Sequence, residues 1–231
     1  MSSQFLMYLS RAITLLLVLP LHEAAHGLVA KWMGDDTAEM QGRITLNPFK
    51  HLDPIGTLLM LISGFGWAKP VPINPIRMKS YRGGIALTAL AGPVSNLLAA
   101  IVTALAHSLL VCTEKFAEAN TVFAYTGKIT MPVCVLLILS YLTYINVGLA
   151  IFNLIPIPPL DGFNVLRYFT SEKVDRWFYV HQREISVVFL IVILGISRLP
   201  AKYNFLSLLS QKLVNVIWML VDWIPEMRWG L

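Results

Sequence analysis

The sequence predicts an all-α polytopic membrane protein with about five transmembrane helices, one re-entrant segment, and a short membrane-surface β-strand or hairpin near residues 40–50. Composition supplies the first reason. Of 231 residues, 56% are apolar and 13% are charged, whereas a soluble domain carries about 25% charged residues. Mean hydropathy is +0.66, so the chain cannot cover a globule of its size with solvated side chains. This excludes an ordinary soluble enzyme, a disordered protein and a disulfide-stapled secreted domain. The second reason is the spacing of charges, which leaves uncharged intervals long enough to cross a bilayer.

The first interval, between Arg11 and Lys31, is uncharged but for His22, Glu23 and His26. Its length of roughly 28 Å as a helix is close to a hydrocarbon core of about 30 Å. Residues 40–50 show weak period-two alternation ending at a proline turn, which predicts the surface strand or hairpin. Residues 54–65 are apolar but too short to span, which predicts a segment that re-enters the membrane. Residues 83–113 and 129–160 carry no Asp, Glu, Lys or Arg, and each predicts one spanning helix. Two shorter stretches follow, 185–197 and 203–221, the latter interrupted only by Lys212; they predict a tilted pair or a helical hairpin.

Loop charges set the orientation. Residues 67–82 hold Lys69, Arg77, Lys79 and Arg82 with no acid, and residues 156–184 hold Arg167, Lys173, Arg176 and Arg183. Residues 114–128 are balanced, and residues 1–10 have no basic residue. The positive-inside rule then puts 31–53, 67–82 and 156–184 in the cytoplasm, the N-terminus outside, and the C-terminus with Arg228 inside. Trp218, Trp223 and Trp229 suit an interfacial belt near that end. The net charge of +5 reads as loop bias rather than nucleic-acid binding. Cys112 and Cys134 lie in or beside apolar runs and make neither a disulfide framework nor a thiolate metal site. The apolar N-terminal run reads as mature sequence rather than a signal peptide, since cleavage near Ala24 would cut the motif described next.

That motif is His22-Glu23-Ala24-Ala25-His26. Positions i and i+4 of a helix share a face, so both imidazoles can reach one zinc ion, with Glu23 beside them to take a proton from water. By composition, roughly 0.003 such matches arise by chance in this chain. Inside a spanning segment each ionisable group costs about 2.5–3.5 kcal/mol unless it has a partner. A bound metal offsets that cost, and a bland helix does not.

Zinc with two histidines needs a third protein ligand and an open position. Asp161 stands at the cytoplasmic end of the 129–160 interval, after Pro156, Pro158 and Pro159 break the helix. His51 is its rival. His107 lies at the opposite end of its span, because His22 and His26 sit about 7–14 Å from the Lys31 boundary. His181 lies in a charged stretch and reads as solvated.

Taken together, His22-Glu23-Ala24-Ala25-His26, Asn153…Pro156…Leu160-Asp161-Gly162 and the helical membrane background resemble the site-2 protease family of intramembrane zinc metalloproteases (peptidase family M50). Further stretches resemble its short prokaryotic type, without a PDZ or nucleotide-sensing domain: Gly42 to Pro48 with His51 and Asp53-Pro54, Gly66 to Pro72, and Ala91 to Asn96. The likeness covers roughly residues 10–170, so residues 1–170 read as the intramembrane metalloprotease core and 171–231 as C-terminal amphipathic or transmembrane helices to which no motif assigns a role. The resemblance implies one zinc ion held by His22, His26 and Asp161, with Glu23 as catalytic base and Asn153 near the active site. It also implies a bacterial or archaeal cell membrane and cleavage of a single-pass membrane protein near the cytoplasmic side. The substrate would unwind and pair with the backbone around Ile44. A homo-oligomer is compatible with this reading; nucleic acid is not an expected partner. The alternative is a non-hydrolytic zinc-binding membrane protein, either a metal transporter or a scaffold.

Overall fold

The computed structural model describes residues 8–9, 11–63, 66–196 and 205–225. The expected features at Ser197, Tyr203, Arg228 and Trp229, and most of the N-terminal ten residues, lie outside the described residues.

Helix α1 runs Arg11–Trp32 and is not uniform. Thr14–Val18 is a π-helical turn, and regular α-helix resumes at Leu19 with Pro20 in its first turn. Proline has no N–H to give to the preceding turn, and a wider π turn is one way to absorb that loss; such turns concentrate at functional sites. After α1 comes α2, the single turn Thr37–Met40.

The strand or hairpin expected over 40–50 does not form. Gly42 turns the chain at φ +61, and Asn47 caps a 3-10 turn at Pro48–Lys50 by accepting from the Phe49 N–H at 3.1 Å. Antiparallel pairing is displaced to one bridge, Leu52 with Ala68. The physical reason lies in Arg43: its guanidinium donates to the carbonyls of Lys69 (2.7 Å) and Pro70 (3.1 Å), the acceptors a paired strand would have used. Pro48 adds a second break, because it cannot donate to a ladder.

Helix α3, Pro54–Ser63, is the expected short apolar segment. Asp53 caps it through the Gly56 N–H at 2.8 Å. Its last carbonyls, Leu61 and Ile62, accept from the Arg11 guanidinium, the latter at 3.1 Å. The chain then returns alongside the helix, and only glycine fits the contact. A Cβ on Gly56 would lie 2.2 Å from the Trp67 carbonyl oxygen, and one on Gly66 would lie 2.1 Å from that of Gly56.

Helices α4 (Tyr81–Val111) and α6 (Met131–Asn153) form the centre, joined through α5 (Glu114–Thr126). The balanced stretch expected as a loop is therefore largely helical, and it stops at Gly127 with φ +67. The Thr103 and Thr143 hydroxyls hydrogen-bond across α4 and α6 at 2.8 Å. Helix α7 (Asp161–Phe169) follows the proline break, and α8 (Glu172–Ile196) follows α7. Helix α9 (Phe205–Val221) sets Val214, Ile217 and Val221 against Ala100, Ala104 and Val147. The small alanines let α9 approach closely, the usual means of joining helices in lipid.

Among the described residues, four helices are long and apolar enough to cross a membrane: Arg11–Trp32, Tyr81–Val111, Met131–Asn153 and Phe205–Pro225. Helix α8 corresponds to the remaining expected span. Its first half carries Glu172, Lys173, Asp175, Arg176, Arg183 and Glu184. The apolar remainder is about 18 Å long, short of a bilayer core.

Candidate metal centre and its surroundings

The helical spacing of His22 and His26 brings their rings edge to face, with centroids 4.6 Å apart and an interplanar angle of 85°. Their Nε2 atoms are 3.0 Å apart. Asp161 arrives from α7 and places Oδ2 3.2 Å from His22 Nε2 and 3.4 Å from His26 Nε2. Among the described residues these three make the one group of His, Cys, Asp or Glu able to hold a metal ion. His22 and His26 are 5% and 7% exposed, so bulk water hardly reaches the two rings, while the Asp161 side chain is 18% exposed.

The donor set fits zinc. A tetrahedral site with metal–ligand distances of about 2.0–2.1 Å has edges of about 3.3 Å, and the three separations here are 3.0, 3.2 and 3.4 Å. The protons agree with this. His26 Nδ1 donates to the Thr88 carbonyl at 2.7 Å, and His22 Nδ1 donates to Asn96 Oδ1 at 2.6 Å. With each ring proton on Nδ1, both Nε2 atoms present lone pairs to each other and to a carboxylate. Asp161 Oδ2 is buried with no hydrogen-bond donor among the described residues. Three facing acceptors repel one another unless a cation lies among them.

Gly92 opens the space. A Cβ there would sit 2.4 Å from His26 Nε2 and 2.6 Å from His22 Nε2, so α4 passes the cluster only because this position has no side chain. Asp161 depends on the neighbouring glycine in the same way. A Cβ on Gly162 would lie 2.2 Å from the Leu154 carbonyl oxygen and 2.7 Å from that of Ile155. Without it, α7 seats against the end of α6 and its first residue reaches back to α1. Two polar contacts hold the far end of α7. Arg82 donates to the Thr170 carbonyl at 2.7 Å, and Arg167 grips Asp175 at 2.5 and 3.0 Å.

Glu23 points to another partner. Its Oε2 accepts from the main-chain N–H of Val71 at 3.0 Å. The extended segment bearing Val71 is held on one side by Arg43, as described above. On the other side Asp35 is wholly buried and accepts from the N–H of Asn74 at 2.5 Å, the N–H of Thr37 at 3.0 Å and the Thr37 hydroxyl. Burial works against the Asp35 charge, yet these donors and the nearby Arg77 hold its carboxyl below the ordinary range.

Other sequence candidates fall elsewhere. His51 is fully buried and donates from Nε2 to the Thr45 carbonyl at 2.8 Å; it is absent from the cluster, so the rival third ligand is set aside. Asn153 ends α6 and donates to Leu149 on its own helix at 3.0 Å, with no hydrogen bond to the cluster among the described residues. Ile44 packs over Gly27, one residue past His26. There a built Cβ would meet Ile44 Cγ1 at 3.1 Å and Val71 Cγ1 at 3.4 Å. His107 meets the Trp218 ring at 4.9 Å, and His181 stacks on Trp177. Thr88, Gly92 and Val71 at the site carried no side-chain signal, since two act through main-chain groups and the third through having no side chain.

Comparison with known proteins adds a family. The family model Peptidase family M50 matches residues 10–196. "Putative zinc metalloprotease YwhC" of Bacillus subtilis is 43% identical over 154 residues, covering 67% of this chain and 66% of that protein. "Putative zinc metalloprotease Rip2" of Mycolicibacterium smegmatis is 27% identical over 166 residues, covering 70% of this chain and 57% of its own. The protein of the same name from Mycobacterium tuberculosis (strain H37Rv) is 27% identical over 184 residues, covering 77% and 63%. The chain thus spans somewhat less than two thirds of the length of these relatives. No solved structure matches the chain significantly.

Proposed function

Because the chain belongs to peptidase family M50, we propose that it is an intramembrane zinc metalloendopeptidase, with His22, His26 and Asp161 as zinc ligands and Glu23 as catalytic base. The observation that carries this reading is the meeting of two Nε2 atoms and one carboxylate oxygen at tetrahedral edge lengths, the two histidines on a helix long and apolar enough to span a bilayer and the carboxylate on the short helix that follows the proline break. When bound, zinc polarises the scissile carbonyl and lowers the pKa of water to about 7. Glu23 accepts the proton of the attacking water and returns it to the leaving amine. Val71 holds Oε2 of Glu23, which leaves the other carboxylate oxygen for that transfer. Asn153, at the end of α6 just before the proline break that carries Asp161, is assigned to steady the substrate.

The substrate class follows from hydrogen bonding. A membrane helix keeps its carbonyls engaged, so a cleavable segment must unwind and find new partners. Ile44 and Val71 flank the turn of α1 that bears His26, and the backbone around Ile44 is where an unwound segment would pair. The basic stretches 67–82 and 156–184 support a cytoplasmic position for this end of the site, with the N-terminus outside. We assign the protein to a bacterial or archaeal cell membrane and its substrates to single-pass membrane proteins.

The test uses purified full-length chain in lipid with a tagged single-pass substrate. Glu23→Gln should abolish cleavage while zinc stays near about one per chain. Full activity in that variant overturns the assignment of the base. A zinc-loaded wild type that cleaves none of a panel of membrane substrates would leave the non-hydrolytic alternative.

A further inference from the structure

Building on the zinc-ligand assignment, we propose that Asn96 and Asn146 form an amide lock. The lock fixes the proton of His22 on Nδ1 and so keeps Nε2 open to the metal. Three hydrogen bonds run in series from α6 to the cluster. Asn146 Nδ2 donates to the Leu142 carbonyl at 2.8 Å, Asn96 Nδ2 donates to Asn146 Oδ1 at 2.8 Å, and His22 Nδ1 donates to Asn96 Oδ1 at 2.6 Å.

The polarity of the series is set at its far end. A main-chain carbonyl can only accept, so Asn146 must turn its NH₂ toward Leu142. That leaves Asn146 Oδ1 facing Asn96, which must then present its own NH₂ and turn its oxygen to His22. Reversing either amide would oppose two acceptors or two donors across a gap of 2.8 Å. Asn96 and Asn146 are 0% and 2% exposed, so no water substitutes for a lost partner.

The two histidines differ in a way that gives Asn146 a purpose. His26 donates to the Thr88 carbonyl, a main-chain group that cannot turn over. His22 donates to a side-chain amide, which can. An Asn96 amide turned by half a revolution would donate to Nδ1, move the imidazole proton to Nε2 and block the metal. Asn146 prevents that turn without touching either histidine, and it is therefore a positioning residue. Simple helix adhesion does not require it, since Thr103 and Thr143 already join α4 and α6 by a hydrogen bond further along the same pair.

The experiment measures zinc affinity of the purified full-length protein by competition with a chelating dye, with apoprotein melting followed in parallel. Asn146→Leu should weaken zinc binding by about 10- to 100-fold, the range typical of lost partners behind metal ligands. Thr143→Val, which cuts the neighbouring interhelical bond, should retain wild-type affinity. The double variant Asn96→Asp with Asn146→Leu should return to within about threefold of wild-type affinity, because a carboxylate offers His22 an acceptor whichever way it turns and no Asn146 oxygen then opposes it.

The lock is overturned if Asn146→Leu binds zinc as wild type does, if Thr143→Val loses as much, or if Asn146→Leu is equally damaging beside Asp at position 96. Should Asn146→Leu fail to fold, Asn146→Ala takes its place in both arms, and wild-type zinc affinity in that variant overturns the proposal. None of these readings depends on cleavage. A wild-type protein that binds no zinc would sink the ligand assignment itself, whereas zinc-binding wild type with indifferent variants would sink only the lock.

Discussion

Gly92 has no side chain, and any atom placed there would crowd the two ring nitrogens that face Asp161. A methyl group there would stand 2.4 Å from His26 Nε2, well inside van der Waals contact and on the side the lone pair faces. Neither wall can yield easily, since one is helix backbone and the other is a ring tethered by its Nδ1 hydrogen bond. Gly92→Ala should therefore lower bound zinc from about one per chain toward none, measured by metal analysis after gel filtration. Helix content should hold, because alanine favours helix more than glycine by about 1 kcal/mol. Retained zinc would mean that α4 can retreat from α1. At this scale the pairing of the two histidines was legible because i and i+4 share a helix face, whereas for Asp161 depth and three prolines left His51 as a rival, and the family resemblance implied the choice. Gly92, Thr88 and Val71 were not, since their roles exist only once α4 and the segment bearing Val71 lie against α1.

At the scale of elements, the short apolar segment and the extended chain after it depend on charges placed at their ends. Helix α3 is held near its end by Arg11, whose guanidinium meets the carbonyls of Leu61 and Ile62. Arg11→Met should expose them. A hydrogen bond to a charged group contributes about 1.5–3 kcal/mol, so amide exchange in residues 57–63 should accelerate by about 10- to 100-fold, read by mass spectrometry in lipid nanodiscs. The segment carrying Val71 relies on Asp35. The folded carboxyl titrates below its unfolded value, so its contribution is complete above about pH 4 and fades as pH falls through the folded pKa. Asp35→Asn should destabilise the protein by about 1–3 kcal/mol at pH 7, and the gap from wild type should close on acidification. A gap that persists at low pH would assign the effect to packing. The surface strand expected near 40–50 belongs to this scale. Alternation of side chains forecast a strand, but the choice between pairing and coil was made by Arg43 reaching Lys69 and Pro70. A contact across that many residues leaves no period in the sequence.

For the whole molecule, the proposed metal joins parts that the helical packing leaves to separate neighbours. His22 and His26 belong to α1, whereas Asp161 opens α7, which rests on α4 and on the end of α6 through Gly162. Without a cation, two lone pairs and a carboxylate face one another at close range, and the easiest relief is for α7 to withdraw. Because a ligand that binds only the folded state stabilises it by RT ln(1 + [L]/Kd), zinc at a thousand times its Kd contributes about 4 kcal/mol. Chelation should therefore lower the melting temperature and, more tellingly, raise amide exchange locally across residues 154–170. Exchange in α9 should stay as it was, since α9 packs through Val214, Ile217 and Val221 on Ala100, Ala104 and Val147, away from the cluster. Gly162→Ala should produce the same local loosening with zinc present, because it pushes α7 off the Leu154 carbonyl from the other side. If chelation instead loosens all spans equally, the metal stabilises the fold as a whole. If it loosens none, Asp161 is held in place by α4 and α6 alone and is not a ligand.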